Sequence, residues 1–347
     1  MTTGLQQSFR IDPSELPGES VIFGSTPAMR EVRSKIDSIL SSDLPVLIQG
    51  ESGTGKEVIA RFLHTRSDRR EAPFAKLNCG AISADLLESE LFGCEKGALA
   101  GATEDRPGYV EIAEGGTLFL NEIGEMSLEM QGKLLHLLRD GSYTRKGGSE
   151  KRTGHVRVFC ATSVDLQEVV ESGAFREDLC FRISVESLQL SPLRDRINDI
   201  PQLCEHFLEK LSRQFRRSIP RLHPTTLDLL KQWGWPGNLR ELENWIARAI
   251  ILGDDEAVGA ELKRQLSPRN GMAGRQFRWN SVRDMTNQAT SAFTNTAILR
   301  ALKANHGNRR RTAEELKMSY RALLYKLRNV GLPQRRRSHR NHPPAQT

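Results

Sequence analysis

A glycine-rich segment early in the chain has the residue types needed to hold phosphate groups. It follows the apolar run PVLI, precedes the helix-like stretch EVIARFLH and fits the spacing GxxxxGK. Glycines let backbone N–H groups turn inward around phosphate oxygens, the lysine neutralises the β and γ phosphates, and the helix N-terminus adds its positive dipole end. We therefore predict a nucleotide phosphate site made of Gly50, Glu51, Ser52, Gly53, Thr54, Gly55, Lys56 and Glu57.

A second candidate group, Asn121 and Glu122, ends the apolar run TLFL. A glutamate at this place can orient and polarise the water that attacks the γ-phosphate. Asn121 is neutral where an Asp would help to hold Mg²⁺, and Glu57 stands where a Ser or Thr would do so, which leaves Thr54 or water for that part. We predict a site for ATP and Mg²⁺ with Asn121 and Glu122 on its metal side, intact nucleotide binding and weakened hydrolysis.

Strand-like apolar runs alternate with amphipathic helices over residues 21–190, which is typical of an α/β fold with a parallel sheet. The predicted buried strands are residues 45–50, 117–122 and 155–162. Helices are predicted over residues 83–92 and 127–140, and each begins with a Ser that can cap it. Beyond Pro192 and Pro201 the periodicity is purely helical, which predicts a small α-helical lid.

The domain organisation follows from these patterns and from the composition of the remaining chain. The predicted parts are a flexible leader (1–20), an α/β subdomain (21–190), an α-helical lid (191–266), a linker (267–286), a helix-turn-helix (287–332) and a basic tail (333–347). The five cysteines form no CxxC pair, which argues against a disulfide framework and a zinc site. Without an apolar run of about 18 residues or a signal sequence, a cytoplasmic protein is expected.

Positive charge is concentrated at the C-terminal end of the chain. The net charge is +7, and residues 309–340 hold eleven Lys or Arg and two Glu. This distribution is typical of a nucleic-acid-binding end. In the predicted helix-turn-helix, Arg321 would contact base edges, and Arg309 to Arg311 would contact phosphates. The full set of candidate DNA-binding residues is Arg309, Arg310, Arg311, Tyr320, Arg321, Tyr325, Lys326 and Arg328; a dimerisation hairpin remains an alternative for this unit.

Seven motifs, in order, resemble the central domain of bacterial enhancer-binding proteins, the sigma-54-dependent activators. They are GESGTGKE, NCGAI, ESELFG, EKGALAGA, GGTLFLNEIGE, FREDLCFRI and WPGNLREL. The match runs from about Ile22 to Leu252, and the C-terminal unit is similar to a Fis-type helix-turn-helix. The resemblance implies an AAA+ P-loop ATPase fold, a ring hexamer that binds ATP between subunits, DNA at an upstream activator site, and remodelling of sigma-54 RNA polymerase.

The resemblance also implies roles for individual residues. Asn78 matches the family's switch residue, which restrains Glu122 until the site is assembled. Arg176 and Arg182 match the arginines donated across the subunit interface, where positive charge stabilises the transferring phosphoryl group. Arg240 matches the lid arginine that senses the γ-phosphate. For each arginine, a surface salt bridge is the alternative.

The chain departs from the family at three places. Asn121 replaces an Asp, and Ser163 replaces the usual Asn of the first sensor, which leaves Thr162 as the expected polar contact. The third is the loop that contacts sigma-54, GAFTGA in the family. Here Leu99 replaces the aromatic residue and Ala100 removes the hydroxyl, within a loop made of Gly97, Ala98, Leu99, Ala100, Gly101 and Ala102.

These departures leave two functional hypotheses open. The chain either activates sigma-54 promoters, alone or in a mixed ring, or acts as a sigma-54-independent DNA-binding regulator or repressor with weak or lost ATPase activity. An AAA+ chaperone, protease subunit or helicase loader is disfavoured by the sigma-54-type loop and the Fis-like end. Since no sensing domain is recognised ahead of residue 21, control by expression level, by a separate inhibitory protein or by a partner subunit is expected.

Overall fold

The computed structural model describes residues 9–98, 104–218, 222–253 and 255–266, all of which belong to one compact unit. A five-stranded sheet lies at its centre, with all pairings parallel and the strand order β2-β3-β6-β1-β7. Its strands are β1 (Val46–Gln49), β2 (Phe74–Asn78), β3 (Thr117–Asn121), β6 (Arg157–Thr162) and β7 (Glu186–Gln189). A short antiparallel pair, β4 (Ser142–Tyr143) and β5 (Arg152–Thr153), lies outside this sheet.

Helices connect the strands and cover the sheet. They are α1 (Glu19–Phe23), α2 (Pro27–Ile39), α3 (Lys56–Arg66), α4 (Ala84–Phe92), α5 (Tyr109–Ile112), α6 (Leu128–Asp140), α7 (Leu166–Glu171) and α8 (Glu177–Ile183). Four further helices form the lid: α9 (Ile200–Phe215), α10 (Pro224–Gln232), α11 (Asn238–Leu252) and α12 (Glu256–Leu266). Among the described residues, none of these helices is long and apolar enough to cross a membrane.

The sheet is buried on both faces because alternate side chains of a strand point to opposite sides. In β3, Leu118 and Leu120 join one apolar cluster, whereas Phe119 between them joins the other. The lid has its own apolar cluster, in which Trp235 and Leu242 are fully buried. The predicted α/β class with a parallel sheet and a helical lid is confirmed.

The parallel arrangement brings the carboxyl ends of the central strands to one edge of the sheet. Gln49 pairs with Thr162, and Asn121 pairs with both Asn78 and Ala161. The segments that follow β1, β3 and β6 therefore emerge side by side. Ligands of open α/β sheets bind at this edge, so the fold brings the predicted site residues together.

Several local expectations differ from the structure. From Phe9 onward the predicted leader is packed against the sheet: Phe9 O accepts a hydrogen bond from Phe74 N at 2.8 Å, and the Phe9 ring meets Tyr109 edge to face. Ser83 and Ser127 occupy the N-cap positions of α4 and α6, but neither side chain makes the capping hydrogen bond. Strands β2 and β7 were not predicted, since each is short and includes polar residues.

Candidate nucleotide-binding site

The loop between β1 and α3 has the backbone conformation that its glycines predict. Gly50, Gly53 and Gly55 have φ values of 153°, 82° and 100°, which residues with a Cβ rarely adopt. The Thr54 hydroxyl closes the loop by donating to Glu51 O at 2.8 Å. Gly55 is the N-cap residue of α3, so the loop leads directly into a helix N-terminus. This arrangement fits a polyphosphate, which such termini bind through backbone N–H groups.

Lys56 is held at the mouth of this loop. Its side chain is only 6% exposed, and Nζ donates to Gly50 O at 2.7 Å and to Glu51 O at 3.3 Å. Burial lowers the pKa of Lys56 from its usual value, although the Glu122 carboxylate, 3.6 Å from Nζ, opposes that shift. The ammonium group thus lies between the loop and Glu122, where phosphate oxygens can replace its carbonyl partners.

Glu122 follows β3 in a left-handed conformation, with φ 54° and ψ 53°. A non-glycine residue in this region stores about 1–3 kcal/mol of strain and is typical of functional sites. The second oxygen of its carboxylate, Oε2, accepts hydrogen bonds from Ser163 N at 3.0 Å and from Ser163 Oγ at 2.7 Å. The carboxylate is therefore held between the β6 end and Lys56.

Ser163, directly after β6, makes the polar contact with the Glu122 carboxylate, whereas the contact of Thr162 with nucleotide stays a prediction. Thr162 is fully buried, and its hydroxyl bonds to the backbone N and O of Val164, both at 3.2 Å. Consecutive side chains leave a strand on opposite sides, so only one of the two can face Glu122. The serine that replaces the family asparagine occupies that side.

Asn121 and Asn78 lie side by side at the ends of β3 and β2. Within the described residues, neither side-chain amide makes a hydrogen bond, and the Glu122 carboxylate contacts Ser163 and Lys56. The switch role of Asn78 stays a prediction. The described residues also contain no group of three or more His, Cys, Asp or Glu side chains that could hold a metal. Asn121 and Glu122 fit a Mg²⁺ ion only as weak partners that would leave most of its coordination to water and phosphate.

Glu57, the predicted loop residue in the Ser/Thr position, is committed to other partners. Its carboxylate forms ion pairs with Lys76 on β2 and with Arg61, which lies 2.9 Å away one turn along α3. Burial favours a raised pKa, but these two cations outweigh it, and the pKa of Glu57 is lowered. The ionised Glu57 therefore links α3 to β2 through its ion pair with Lys76.

The lid lies directly against the phosphate loop. Asn238 Nδ2 donates to Glu51 Oε2 and Ser52 O, each at 3.1 Å, and Leu239 N donates to Gly53 O at 2.9 Å. A Cβ at Gly53 would lie 2.3 Å from Gly237 O, so only glycine allows this approach. The sequence prediction missed Asn238, although it belongs to the motif WPGNLREL.

Three arginines of the lid side also contact the loop, and the first of them, Arg196, donates to Thr54 O at 3.5 Å. Arg194 forms two hydrogen bonds with the Glu51 carboxylate, at 2.7 and 2.9 Å, and these bonds lower the pKa of Glu51. Arg240 donates to Ser52 Oγ at 3.3 Å, which places the predicted sensor arginine at the loop. Arg194 was not predicted, because nothing in the local sequence pairs it with Glu51. The side chains of Glu51 and Ser52 thus face the lid.

Arg176 is the N-cap residue of α8, Arg182 lies in its last turn, and both residues are exposed. Arg176 pairs with Asp178 through hydrogen bonds of 2.7 and 3.0 Å, and Arg182 donates to Leu138 O at 2.9 Å. Phe181, next to Arg182, is 70% exposed. Neither arginine contacts the phosphate loop of its own chain within the described residues.

The predicted sigma-54 loop is closed at its base. Cys94 and Arg106 exchange backbone hydrogen bonds of 3.0 and 2.9 Å, and Lys96 N donates to Asp105 Oδ1 at 2.9 Å. Gly97 has a left-handed φ of 82°. Leu99, Ala100, Gly101 and Ala102 lie outside the described residues, as do the predicted linker, helix-turn-helix and basic tail.

Family models match three successive parts of the chain. Residues 22–189 match the Sigma-54 interaction domain, residues 194–274 the AAA+ ATPase lid domain, and residues 296–329 the Fis family of bacterial regulatory proteins. The last match agrees with the predicted helix-turn-helix. Together with the geometry of the described residues, these matches confirm the predicted fold class.

Curated relatives and solved structures agree with this assignment. The chain is 43% identical to regulatory protein AtoC of Escherichia coli (strain K12), over 90% of this chain and 68% of that protein. It is 44% identical to the DNA-binding transcriptional regulator NtrC of Azospirillum brasilense, over 72% of this chain and 52% of that protein. The crystal structure of NtrX from Brucella abortus in complex with ATP has a TM-score of 0.64 at 32% identity, covering 91% of this chain and 70% of that one. The chain therefore belongs to the sigma-54-interacting AAA+ transcriptional regulators with a Fis-type DNA-binding domain.

Proposed function

We propose that this chain binds ATP with Mg²⁺ and hydrolyses it slowly between copies of itself in a ring, and that the ring remodels sigma-54 RNA polymerase at promoters. One observation carries the proposal: Lys56 Nζ and the Glu122 carboxylate face each other at 3.6 Å beside a loop of left-handed glycines. A cation for the phosphates and a base for the water are thus positioned together. A relative at 32% identity, NtrX, has been crystallised in complex with ATP, which supports the same ligand here.

The chemistry follows from these two side chains. Lys56 would neutralise the β and γ phosphates, and Glu122 would accept a proton from a water whose oxygen attacks the γ-phosphorus. The bond from that phosphorus to the β–γ bridging oxygen breaks, and ADP and inorganic phosphate leave. Asn121 and Glu122 would hold Mg²⁺, whose positive charge would help to neutralise the triphosphate. Asn121 adds no charge to that site, so hydrolysis should be slow.

Arginines from two sources would complete the site. Arg240 already lies at the phosphate loop, 3.3 Å from Ser52 Oγ, and would reach the γ-phosphate from the lid. Arg176 and Arg182 are exposed and do not contact their own loop, which suits donation to the site of a neighbouring copy. A cation there would neutralise the charge that spreads over the transferring phosphoryl group.

Sigma-54 would be contacted by the loop Gly97 to Ala102, and upstream DNA by the Fis-type domain. Leu99 offers an apolar tip but neither an aromatic ring nor, with Ala100 beside it, a hydroxyl. The loss of the aromatic ring and the hydroxyl, together with the neutral Asn121, favours a second candidate function. In this alternative, the chain is a sigma-54-independent DNA-binding regulator or repressor that binds ATP with weak or no hydrolysis.

Measurement of ATP turnover and of open-complex formation by sigma-54 polymerase separates the two functions. The native full chain would be compared with Asn121→Asp and with the double variant Leu99→Phe/Ala100→Thr. We expect Asn121→Asp to raise ATP turnover and the double variant to raise open-complex formation at unchanged turnover. Open complexes formed by the native chain would eliminate the repressor hypothesis. No affinity for ATP or ADP in calorimetry would overturn both.

A further inference from the structure

A buried glutamine links the segment after Glu122 to the segment before α8. Gln131, on α6, is fully buried. Its Nε2 donates to Met126 O at 2.7 Å and to Ala174 O at 3.0 Å, and its Oε1 accepts a hydrogen bond from Arg176 N at 2.8 Å. Both N–H donors and the oxygen of the amide therefore form hydrogen bonds with backbone groups of two other segments.

The two segments belong to the two halves of the proposed reaction site. Met126 ends the 3-10 turn Ile123–Glu125, whose N-cap residue is Glu122 itself. Arg176 is the N-cap residue of α8, and its side chain is exposed. Gln131 thus ties the backbone next to this copy's own catalytic base to the backbone that carries the arginine proposed for the neighbouring copy.

The surroundings of Gln131 make this link hard to replace. Met126, Met130, Phe175 and Leu179 are buried in the same apolar cluster, so no water is at hand to satisfy the buried Met126 O if the amide is lost. A buried backbone group without a partner is costly, so the segments are held to the amide. The Arg176 side chain has only the exposed Asp178 as a partner among the described residues, and its position depends on its backbone.

We propose that Gln131 is a positioning residue that holds Arg176 in place for the active site of the neighbouring copy. The proposal rests on the proposed function, in which Arg176 acts between copies. It assigns Gln131 no contact with nucleotide. Loss of the amide should therefore leave nucleotide affinity unchanged and lower turnover.

The test uses Gln131→Met in the whole chain, which keeps the length of the side chain but removes its amide, and Gln167→Met as control, since Gln167 is exposed on α7. We expect Gln131→Met to bind ATP as the native chain does and to lose about 10- to 100-fold in turnover, since misplacement by about 1 Å can cost on the order of 100-fold. Gln131→Glu, whose neutral acid can accept from Arg176 N and donate to one carbonyl oxygen, should recover part of that loss.

Mixed rings separate positioning of Arg176 from damage to the copy's own site. In a ring that mixes Gln131→Met with Glu122→Gln, some interfaces combine the intact Glu122 of the first variant with the correctly placed Arg176 of the second. ATP turnover of the mixture should therefore exceed that of either variant alone. Mixing with Arg176→Ala should give no such recovery, because neither variant supplies a correctly placed Arg176. Recovery with Arg176→Ala, or native turnover in Gln131→Met, would overturn the proposal.

Hydrogen exchange of the Arg176 amide provides a readout that does not need turnover. Exchange should be faster in Gln131→Met than in the native chain, close to native in Gln131→Glu, and native in Gln167→Met. A native chain without ATP turnover would count against the proposed function, whereas unchanged Arg176 exchange in Gln131→Met would count against the role of Gln131.

Discussion

Replacement of Asn238 by alanine should detach the lid from the phosphate loop and destabilise the chain. Asn238 is fully buried, has a left-handed φ of 51°, and accepts a hydrogen bond from Leu193 N at 2.7 Å while donating to Glu51 and Ser52. Alanine leaves Leu193 N unsatisfied, which costs about 1–3 kcal/mol. It also adopts a left-handed conformation that costs roughly 1–2 kcal/mol.

The two contributions together predict that Asn238→Ala lowers the free energy of unfolding by about 3 kcal/mol. For a folded unit of this size, each kcal/mol lowers Tm by roughly 2–4 °C, so Tm should fall by about 6–12 °C. The assay is thermal unfolding of the full chain without nucleotide. Asn198→Ala is the matched control, because Asn198 is exposed in a neighbouring turn.

A second substitution divides the effect into its parts. Asn238→Asp keeps the acceptor for Leu193 N and tolerates the left-handed backbone, but places a carboxylate beside Glu51. We expect Asn238→Asp to lose less free energy of unfolding than Asn238→Ala. Added salt should reduce this loss further, because Glu51 is partly exposed and salt screens the repulsion between the two carboxylates. A Tm for Asn238→Ala within about 2 °C of the native value would refute the proposed coupling of loop and lid.

Three further outcomes are expected. Burial lowers the pKa of His64 from 6.5 to about 4, so the unfolded chain binds the proton more readily than the folded chain does. The free energy of unfolding should therefore decrease as the pH is lowered from about 6.5 towards 4. In denaturant titrations, about 2 kcal/mol of this free energy should be lost between pH 7 and pH 5. Ser163→Ala should raise ATP turnover by about tenfold or more, since the charge-assisted hydrogen bond from the Ser163 hydroxyl, about 1.5–3 kcal/mol, no longer competes with the role of Glu122 as a base. Replacing Arg309, Arg310 and Arg311 by Ala should flatten the dependence of log K for DNA on log[salt] by roughly 0.9 for each phosphate that is no longer neutralised.

Two of these outcomes have a control within the chain. His136 is exposed, so His136→Gln should keep the native pH profile, whereas His64→Gln should flatten it. Ser172→Ala removes a hydroxyl that bonds only to Val169 O within the described part of the chain, and turnover should stay at the native value. A flat native stability profile, lower turnover in Ser163→Ala, or an unchanged salt slope would each contradict the corresponding argument.

Local patterns were sufficient for the architecture and for part of the site. Apolar runs predicted β1, β3 and β6 to within about two residues, and the GxxxxGK spacing predicted a loop of left-handed glycines that leads into a helix. These features depend on neighbours in the chain, since strand pleating, helix periodicity and glycine conformation act over a few residues. The same information could not predict that Phe9 packs beside β2, because that contact depends on a strand far along the chain.

The chain's own sequence predicted a glycine-rich loop before a helix, a glutamate at the end of β3 and an arginine-bearing lid. Only the tertiary structure decided which side chains meet: Ser163 and not Thr162 holds Glu122, Glu51 pairs with Arg194 across 143 positions, and Gln131 joins Met126 to Arg176. Such contacts depend on strand register and on how helices pack against the sheet. These are set by burial of the whole apolar core, so no short stretch of residues encodes them.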